Sequence, residues 1–355
     1  MSEKLKNIAK LQEAIFRLES KENKIYFLCY DTRGNARASI KHMYDMALFL
    51  REAGMDSKIL VEDNKYTGVS SWLDEKYNTI PVISIKDDKM EMSIDDVLVV
   101  PEQYSNVLQQ LSSIRCTKIM LVQQKENIFE TLPIGSRWSD FGFDKAITTT
   151  NQAKKYILEY FPESLVYIIP PVIEDYFVRS DKPQKPYIAI SVRDRSKHRK
   201  LISEFYLKYP QLRWITFKDM VQMSNKDFAE ALKECLVSVW IDDDSTFGTF
   251  PLESMKCEVP LIGKIPLTEP DWLGENGMWT YDESKIVELL GTYVLAWLEG
   301  AGITEEVKDK MKSTLSPYDV EITKNNTINI FQSFNNKRIE TITKALEKLK
   351  EEEVA

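Results

Sequence analysis

Residues 245–263 read STFGTFPLESMKCEVPLIG. A hydroxyl-rich turn passes through Gly248 into Pro251 and Glu253, a turn of helix follows, and the apolar run VPLIG closes the stretch. Directly upstream stand LVSVWI and three aspartates, residues 242–244. Short apolar runs bounded by turn residues are buried strands. The stretch is therefore a strand, a glycine loop, a helix and a second strand. The spacing predicts a helix start near Phe250 or Pro251, which puts Glu253 in the first helical turn. A carboxylate there complements the helix dipole; facing a cleft, it can instead hold the vicinal hydroxyls of a sugar.

The same unit recurs outward in both directions. YIAISV, LRWITF and VSVWI read as strands, separated by the helices HRKLISEFYLKYP and NKDFAEALKECL. In the first half KIYFLCY, SKILVE, PVISI, DVLVVPE, KIMLVQQ, KAITTT and LVYIIPP are strands. A helix is predicted around YSNVLQQLSSI and another over NQAKKYILEYF. Ile40, Met43, Tyr44, Ala47 and Leu48 share one helix face. Strands alternating with helices form a parallel sheet covered on both sides. PPVIEDYFVRSDKPQKP, proline-rich at both ends and without periodicity, separates the two halves as a crossover near 176–185. The expected units are 1–178, with a leading helix, 179–335, and a closing amphipathic helix with an acidic tail over 336–355.

At 355 residues the chain suits two cores better than one. No run approaches the roughly 20 apolar residues of a membrane span, and the N-terminus has no signal-peptide core. Cys29, Cys116, Cys235 and Cys257 lie singly in apolar surroundings, without a CxxC pair and with only two histidines beside them. That pattern excludes a zinc module and suits a reducing cytoplasm. The net charge of -8 opposes a polyanionic partner, but it is unevenly spread. Residues 179–218 carry eleven Lys and Arg against three acids, a local excess of +8.

In doubly wound sheets ligands bind beyond the carboxyl ends of the strands, so the loops after KIYFLCY, YIAISV and VSVWI are the candidate sites. Gly34, flanked by Arg33 and Arg37, allows close backbone approach at a helix start. The loop fails the GxGxxG pattern, which argues against a nicotinamide enzyme. After YIAISV, Arg193 and Lys197 form a pair suited to a diphosphate, with Arg195 or Lys200 able to replace either. Cations at a helix N-terminus are unfavourable unless an anion offsets them. After VSVWI, the acids, Ser245, Phe247, Gly248, Thr249, Phe250 and Glu253 face the expected cleft. Asp242 and Asp244 form a DxD, read as sugar or loop contacts rather than as metal ligands.

FGTFPLESMKCEVPLIG resembles the donor-site signature of GT-B glycosyltransferases, in particular their large retaining class. Arg193 and Lys197 match that family's basic pair, the segment 145–177 resembles its domain crossover, and DTRGNARASIKHMYDMALFLREAG resembles its first glycine loop and helix. The likeness runs in order over roughly residues 24–300. It implies two Rossmann-like domains facing across a cleft, with the C-terminal helix crossing back onto the first. It implies a UDP- or GDP-sugar donor, UDP preferred, bound mainly by the second domain, and transfer with retention and without an essential metal. Arg193, Lys197 and Asp244 would act in catalysis. Gly34, Ser245, Phe247, Gly248, Thr249, Phe250 and Glu253 would bind the donor, Glu253 through the ribose. Ser245 stands where the family has another Glu, so either Asp244 takes over or the sugar is held differently. A glycan or small molecule is the expected acceptor. Hydroxymethylated pyrimidines in DNA are an alternative, and a non-catalytic binding module is another.

Overall fold

The computed structural model describes residues 3–86, 92–221 and 223–354. The first half runs α1 (Glu3–Glu19), β1 (Lys24–Cys29), α2 (Ala38–Glu52), β2 (Asp56–Val61), β3 (Val82–Ser84) and β4 (Val97–Pro101). It continues through α3 (Leu108–Leu111), β5 (Thr117–Val122), α4 (Ile128–Thr131), β6 (Lys145–Thr148), α5 (Asn151–Tyr160) and β7 (Leu165–Ile168). These strands form one parallel sheet in the order β3-β2-β1-β4-β5-β6-β7.

The second half runs β8 (Tyr187–Val192), α6 (Arg195–Lys208), β9 (Thr216–Asp219), α7 (Asn225–Glu234), β10 (Val237–Ile241), α8 (Thr249–Lys256), β11 (Leu261–Lys264) and β12 (Met278–Thr280). Its helices α9 (Ile286–Leu298) and α10 (Glu305–Leu315) precede a long α11 (Val320–Val354). The second sheet, also parallel, has the order β12-β11-β10-β8-β9. Each sheet is buried on both faces, because β1, β4, β5, β8 and β10 are nearly continuous runs of Val, Ile, Leu and aromatic residues.

The order reverses direction between β1 and β4 in one sheet and between β8 and β10 in the other. At such a point successive connections leave toward opposite faces, and a crevice opens between them. The two crevices face each other. Helix α11 returns to the first half, where Phe331 and Phe334 join the core containing Phe27 and Met43, and Ile342 packs on Ala14 and Leu18 of α1.

Three local expectations are corrected. The helix expected over 104–114 is a 3-10 turn at Glu102–Val107 followed by the short α3. Ser105 and Ser112 donate their hydroxyls to the carbonyls of Glu102 and Gln109, both at 2.7 Å, and so compete with helical pairing. The strand expected at LRWITF starts only at Thr216, after a 3-10 turn at Pro210–Leu212. The closing helix begins at Val320, well before Asn336.

Candidate functional site

Two adjoining cavities of about 470 and 600 Å³ fill the space between the domains. Their walls come from the carboxyl ends of both sheets: Glu102 after β4, Gln123 after β5, Arg193 after β8 and Asp242 after β10. Arg37, His42, Ser191, Thr249 and Phe250 border both.

Helices α2 and α8 begin at this cleft. Arg37 precedes α2 and Gly248 precedes α8, and neither helix has a side-chain cap or an acidic residue in its first turn. Their leading N–H groups therefore remain for an anion. Gly248 has φ of 71°, and a Cβ at that position would stand 2.6 Å from the Trp240 ring. The loop thus lies flat on Trp240 because residue 248 lacks a side chain. Its neighbour Phe247 is buried, and the Trp272 indole donates to the Phe247 carbonyl at 2.6 Å, fixing the approach to α8.

Glu253 lines the smaller cavity. Since α8 begins at Thr249, Glu253 lies past the first turn, and the expected helix-start position is corrected. Burial pushes its carboxyl up to about 7, against the opposing pull of the Lys41 ammonium and a hydrogen bond with Thr249. Arg193 pairs with Asp242 at 3.6 Å and lines the larger cavity together with Ser245, Phe247 and Gly248. Burial raises the Asp242 carboxyl above its ordinary range, while Arg193 works to lower it.

Three expected residues stand apart from these walls. Lys197 is paired with Asp243 and lies 2.9 Å from Glu283, and neither cavity includes it. The basic start of α6 needs no ligand, because Asp194 accepts from the Ser196 amide at 2.7 Å and Arg195 pairs with Asp219 at 2.7 Å. Asp244 is exposed and lines neither cavity, and its carbonyl accepts from Gln124 at 3.2 Å. Of the DxD acids only Asp242 borders the cleft. Gly34, with φ of 77°, shapes the turn ahead of the cavity-lining Asn35–Ala38 without lining it. Among the described residues no three His, Cys, Asp or Glu side chains gather in a metal-binding group.

The structure adds residues that sequence reasoning missed. Lys41, His42 and Asp45 of α2 line the cleft. Lys41 lies 2.9 Å from both Asp45 and Glu174, and Tyr77 reaches the same two carboxylates at 2.5 and 2.7 Å. Burial acts to raise Glu174, yet Lys41 and Lys76 hold it down near 2. His42 receives the Gln123 amide on Nδ1 at 3.0 Å. Burial and the adjacent Lys41 charge hold its imidazole down at about 3, so it is neutral at pH 7. Buried Glu102 accepts from the Gln123 and Gln124 amides at 3.2 and 3.0 Å, and burial still pushes it up to about 7. The available signal was polar residues one turn apart inside an otherwise apolar helix.

The cleft is closed at its rim. Asp271 of the second domain accepts from the Asn151 backbone amide at 2.6 Å and from its side chain at 2.9 Å. Thr246 meets Glu126 at 3.2 Å, and on the other side Lys226 pairs with Asp74 at 2.9 Å.

No protein-family model and no curated protein sequence matches the chain. Solved structures match it at the level of fold. Sucrose-phosphate synthase from Thermosynechococcus elongatus aligns with a TM-score of 0.62 at 10% identity, over 88% of this chain and 99% of that one. HepE from Anabaena, in a complex with UDP, gives 0.62 at 11% identity, over 87% and 100%. The pneumococcal O-GlcNAc transferase GtfA, in a complex with UDP and GlcNAc, gives 0.53 at 11% identity, over 92% and 99%. The chain therefore has the GT-B fold.

Proposed function

We propose that the protein is a glycosyltransferase that takes a sugar from a nucleoside diphosphate sugar, with UDP as the preferred nucleotide. The observation that carries this reading is the pair of uncapped helix N-termini, α2 and α8, opening on one cleft beside Arg37 and Arg193. That arrangement suits a diphosphate, whose charge the amides and guanidinium groups offset. The complexes of HepE with UDP-glucose and of GtfA with UDP and GlcNAc support the choice of ligand for a cleft of this fold.

In the proposed mechanism Glu253 receives the ribose hydroxyls, while the turn Ser245–Phe250 and the first amides of α8 approach the diphosphate. Arg193 stabilises the charge that grows on the leaving diphosphate as the glycosidic bond breaks. Asp242 orients Arg193, and closure of the rim limits attack by water. His42, neutral and facing the cavity, offers a polar contact to the sugar or its acceptor. Transfer with retention and without an essential metal belongs to the same proposal. The metal-independent part draws support from Asp242 and Asp243, which already pair with Arg193, Lys197 and Lys264. The acceptor is assigned to the first-domain side, as a glycan or small molecule. Four buried, unpaired thiols fit a reducing, cytoplasmic setting.

The basic segment behind the DNA alternative is largely offset in space. Arg179 pairs with Glu258, Lys185 with Glu234, Arg195 with Asp219 and Lys208 with Glu288. One observation favours the binding-module reading, namely that Lys197 is already held by two carboxylates.

The test is a thermal-shift panel of UDP, GDP, ADP and their sugars, followed by nucleotide release from whichever sugar binds. A melting-point rise with a uridine or guanosine diphosphate and slow donor hydrolysis are expected. Binding without any hydrolysis or transfer would select the binding module. No shift with any nucleoside diphosphate would remove the reading.

A further inference from the structure

A third cavity, of about 390 Å³, lies at the opposite end of the first sheet from the cleft. It opens between the amino ends of β5 and β6, the turn at Ser139–Gly142 and one face of α11. Lys118, Lys145, Lys337 and Arg338 line it, and Asp144 is its one carboxylate lining residue. Asp144 is engaged by Lys145, with both oxygens at 2.8 Å.

The other three cations form no ion pair among the described residues, although the Asp95 and Asp144 charges act on half-buried Arg338, and Lys337 is exposed. Lys118 is 4% exposed and donates only to the carbonyls of Ser112 and Phe141, at 3.0 and 3.1 Å. Arg338 donates to the carbonyls of Ile94 and Arg115, at 2.9 and 3.5 Å, and Lys337 to the Tyr167 hydroxyl at 3.2 Å. For Lys118, the buried member, the lack of an ion-pair partner is costly, and proteins seldom keep such a cation. Cys116, also in the wall, does not supply that charge, because burial pushes its thiol up to about 11. Burial likewise lowers Lys118 and Arg338 below their ordinary values.

We propose that this cavity binds a small phosphorylated anion, with Lys118, Lys337 and Arg338 as its ligands. A guanidinium supplies two parallel donors to phosphate oxygens, and the two ammonium groups add point charges. The volume accommodates an inorganic phosphate, a pyrophosphate or a compact sugar phosphate. Since Lys337 and Arg338 belong to α11 and Lys118 to β5, the bound anion clamps the returning helix to the first domain. Occupancy thus adjusts how firmly α11 ties the two halves together. This site does not depend on the cleft's proposed activity.

The experiment measures melting temperature and calorimetric binding with inorganic phosphate and pyrophosphate, against sodium chloride at matched ionic strength. The cleft is also proposed to hold phosphate oxygens, so the Arg193→Gln variant is run alongside. The expected result is a rise in melting temperature that survives Arg193→Gln. In Arg338→Gln and Lys337→Gln affinity should fall about tenfold or more. Lys118→Met is the control for the buried position; if it folds, it should bind phosphate weakly while gaining stability without ligand. A shift lost in Arg193→Gln but intact in Arg338→Gln would overturn the assignment. So would equal shifts with chloride, which would mark general ionic screening.

Discussion

Lys197 stands 2.9 Å from Glu283, a residue from the turn ahead of α9, and also pairs with Asp243. The hydrogen bonds to Asp243 and Glu283 raise its ammonium above the ordinary lysine range. The neighbouring Arg193, by contrast, borders the cleft and pairs with Asp242. The two cations, one in the loop after β8 and one in the first turn of α6, are thus separated into a cleft-facing and a carboxylate-held member.

That separation has a measurable outcome. Arg193→Gln is expected to weaken UDP binding by about 1.5–3 kcal/mol, the worth of a hydrogen bond to a charged group, with little change in melting temperature. Lys197→Met should do the reverse, lowering stability while leaving UDP affinity within a few-fold. Calorimetry and thermal melts on the same two variants decide the point. Equal losses of affinity would return Lys197 to the diphosphate.

Glu253 gives a pH dependence with a definite sign. Burial in the cleft pushes its carboxyl up to about 7, above its unfolded value of roughly 4.3. Below that lower value the neutral form is present in both states. From there to about 7 the folded chain holds the extra proton, and its stability declines as pH rises. A ribose that prefers the carboxylate binds more tightly once the proton has left. UDP affinity should therefore climb between pH 6 and 8, with proton release on binding. Calorimetry in buffers of different ionisation enthalpy reads that release, and Glu253→Gln should abolish it. Binding that is flat in pH would place the ribose elsewhere.

Gly248 should tolerate nothing larger. Alanine there must adopt a left-handed backbone and enter space held by the Trp240 ring. A loss of about 1–3 kcal/mol in stability is expected from strain and overpacking. Donor binding should fall as well, since the first turn of α8 shifts with the loop. A Gly248→Ala protein with wild-type melting and UDP binding would show that the loop is not held as described.

Catalysis should persist in excess EDTA if Arg193 and the helix amides carry the diphosphate charge. Donor hydrolysis measured with and without chelator provides the check. Loss of activity that manganese or magnesium restores would send Asp242 and Asp244 back for reconsideration as ligands.

The alternation of strands and helices could be read from periodicity, and with the doubly wound rule it gave the sheet ends at which the cleft opens. Buried parallel strands such as YIAISV and VSVWI carry their signal locally. The cleft positions of Arg193 and Gly248 were legible for the same reason, since Arg193 directly follows β8 and Gly248 lies in the loop after β10, where the sheet reverses direction. The fate of Lys197 was not legible. Its partner Glu283 comes from a distant turn brought close only by β11 and β12. Asp244 and Asp242 differ by two positions in a loop, and which one faces the cleft depends on the bend of the chain onto Trp240. Lys41, His42 and Asp45 stand among apolar residues of α2 with nothing local to say what covers them. Glu174 and the second domain, which enclose them, lie far away in the sequence.

The chain passes between the two halves twice, once from β7 to β8 and again between Tyr318 and Ile330, as α11 leaves one core for the other. The crossings touch, because the Asn326 side chain donates to the Ile168 carbonyl at 2.9 Å. Two strands of covalent tether set side by side act like paired pins on a door. They permit swing about the line joining them and resist sliding along it. A small rotation at Ile168 and Asn326 is consequently magnified with distance. Asp271 holds the start of α5 beside one of these crossings, its charge near enough to act on the Tyr318 phenol.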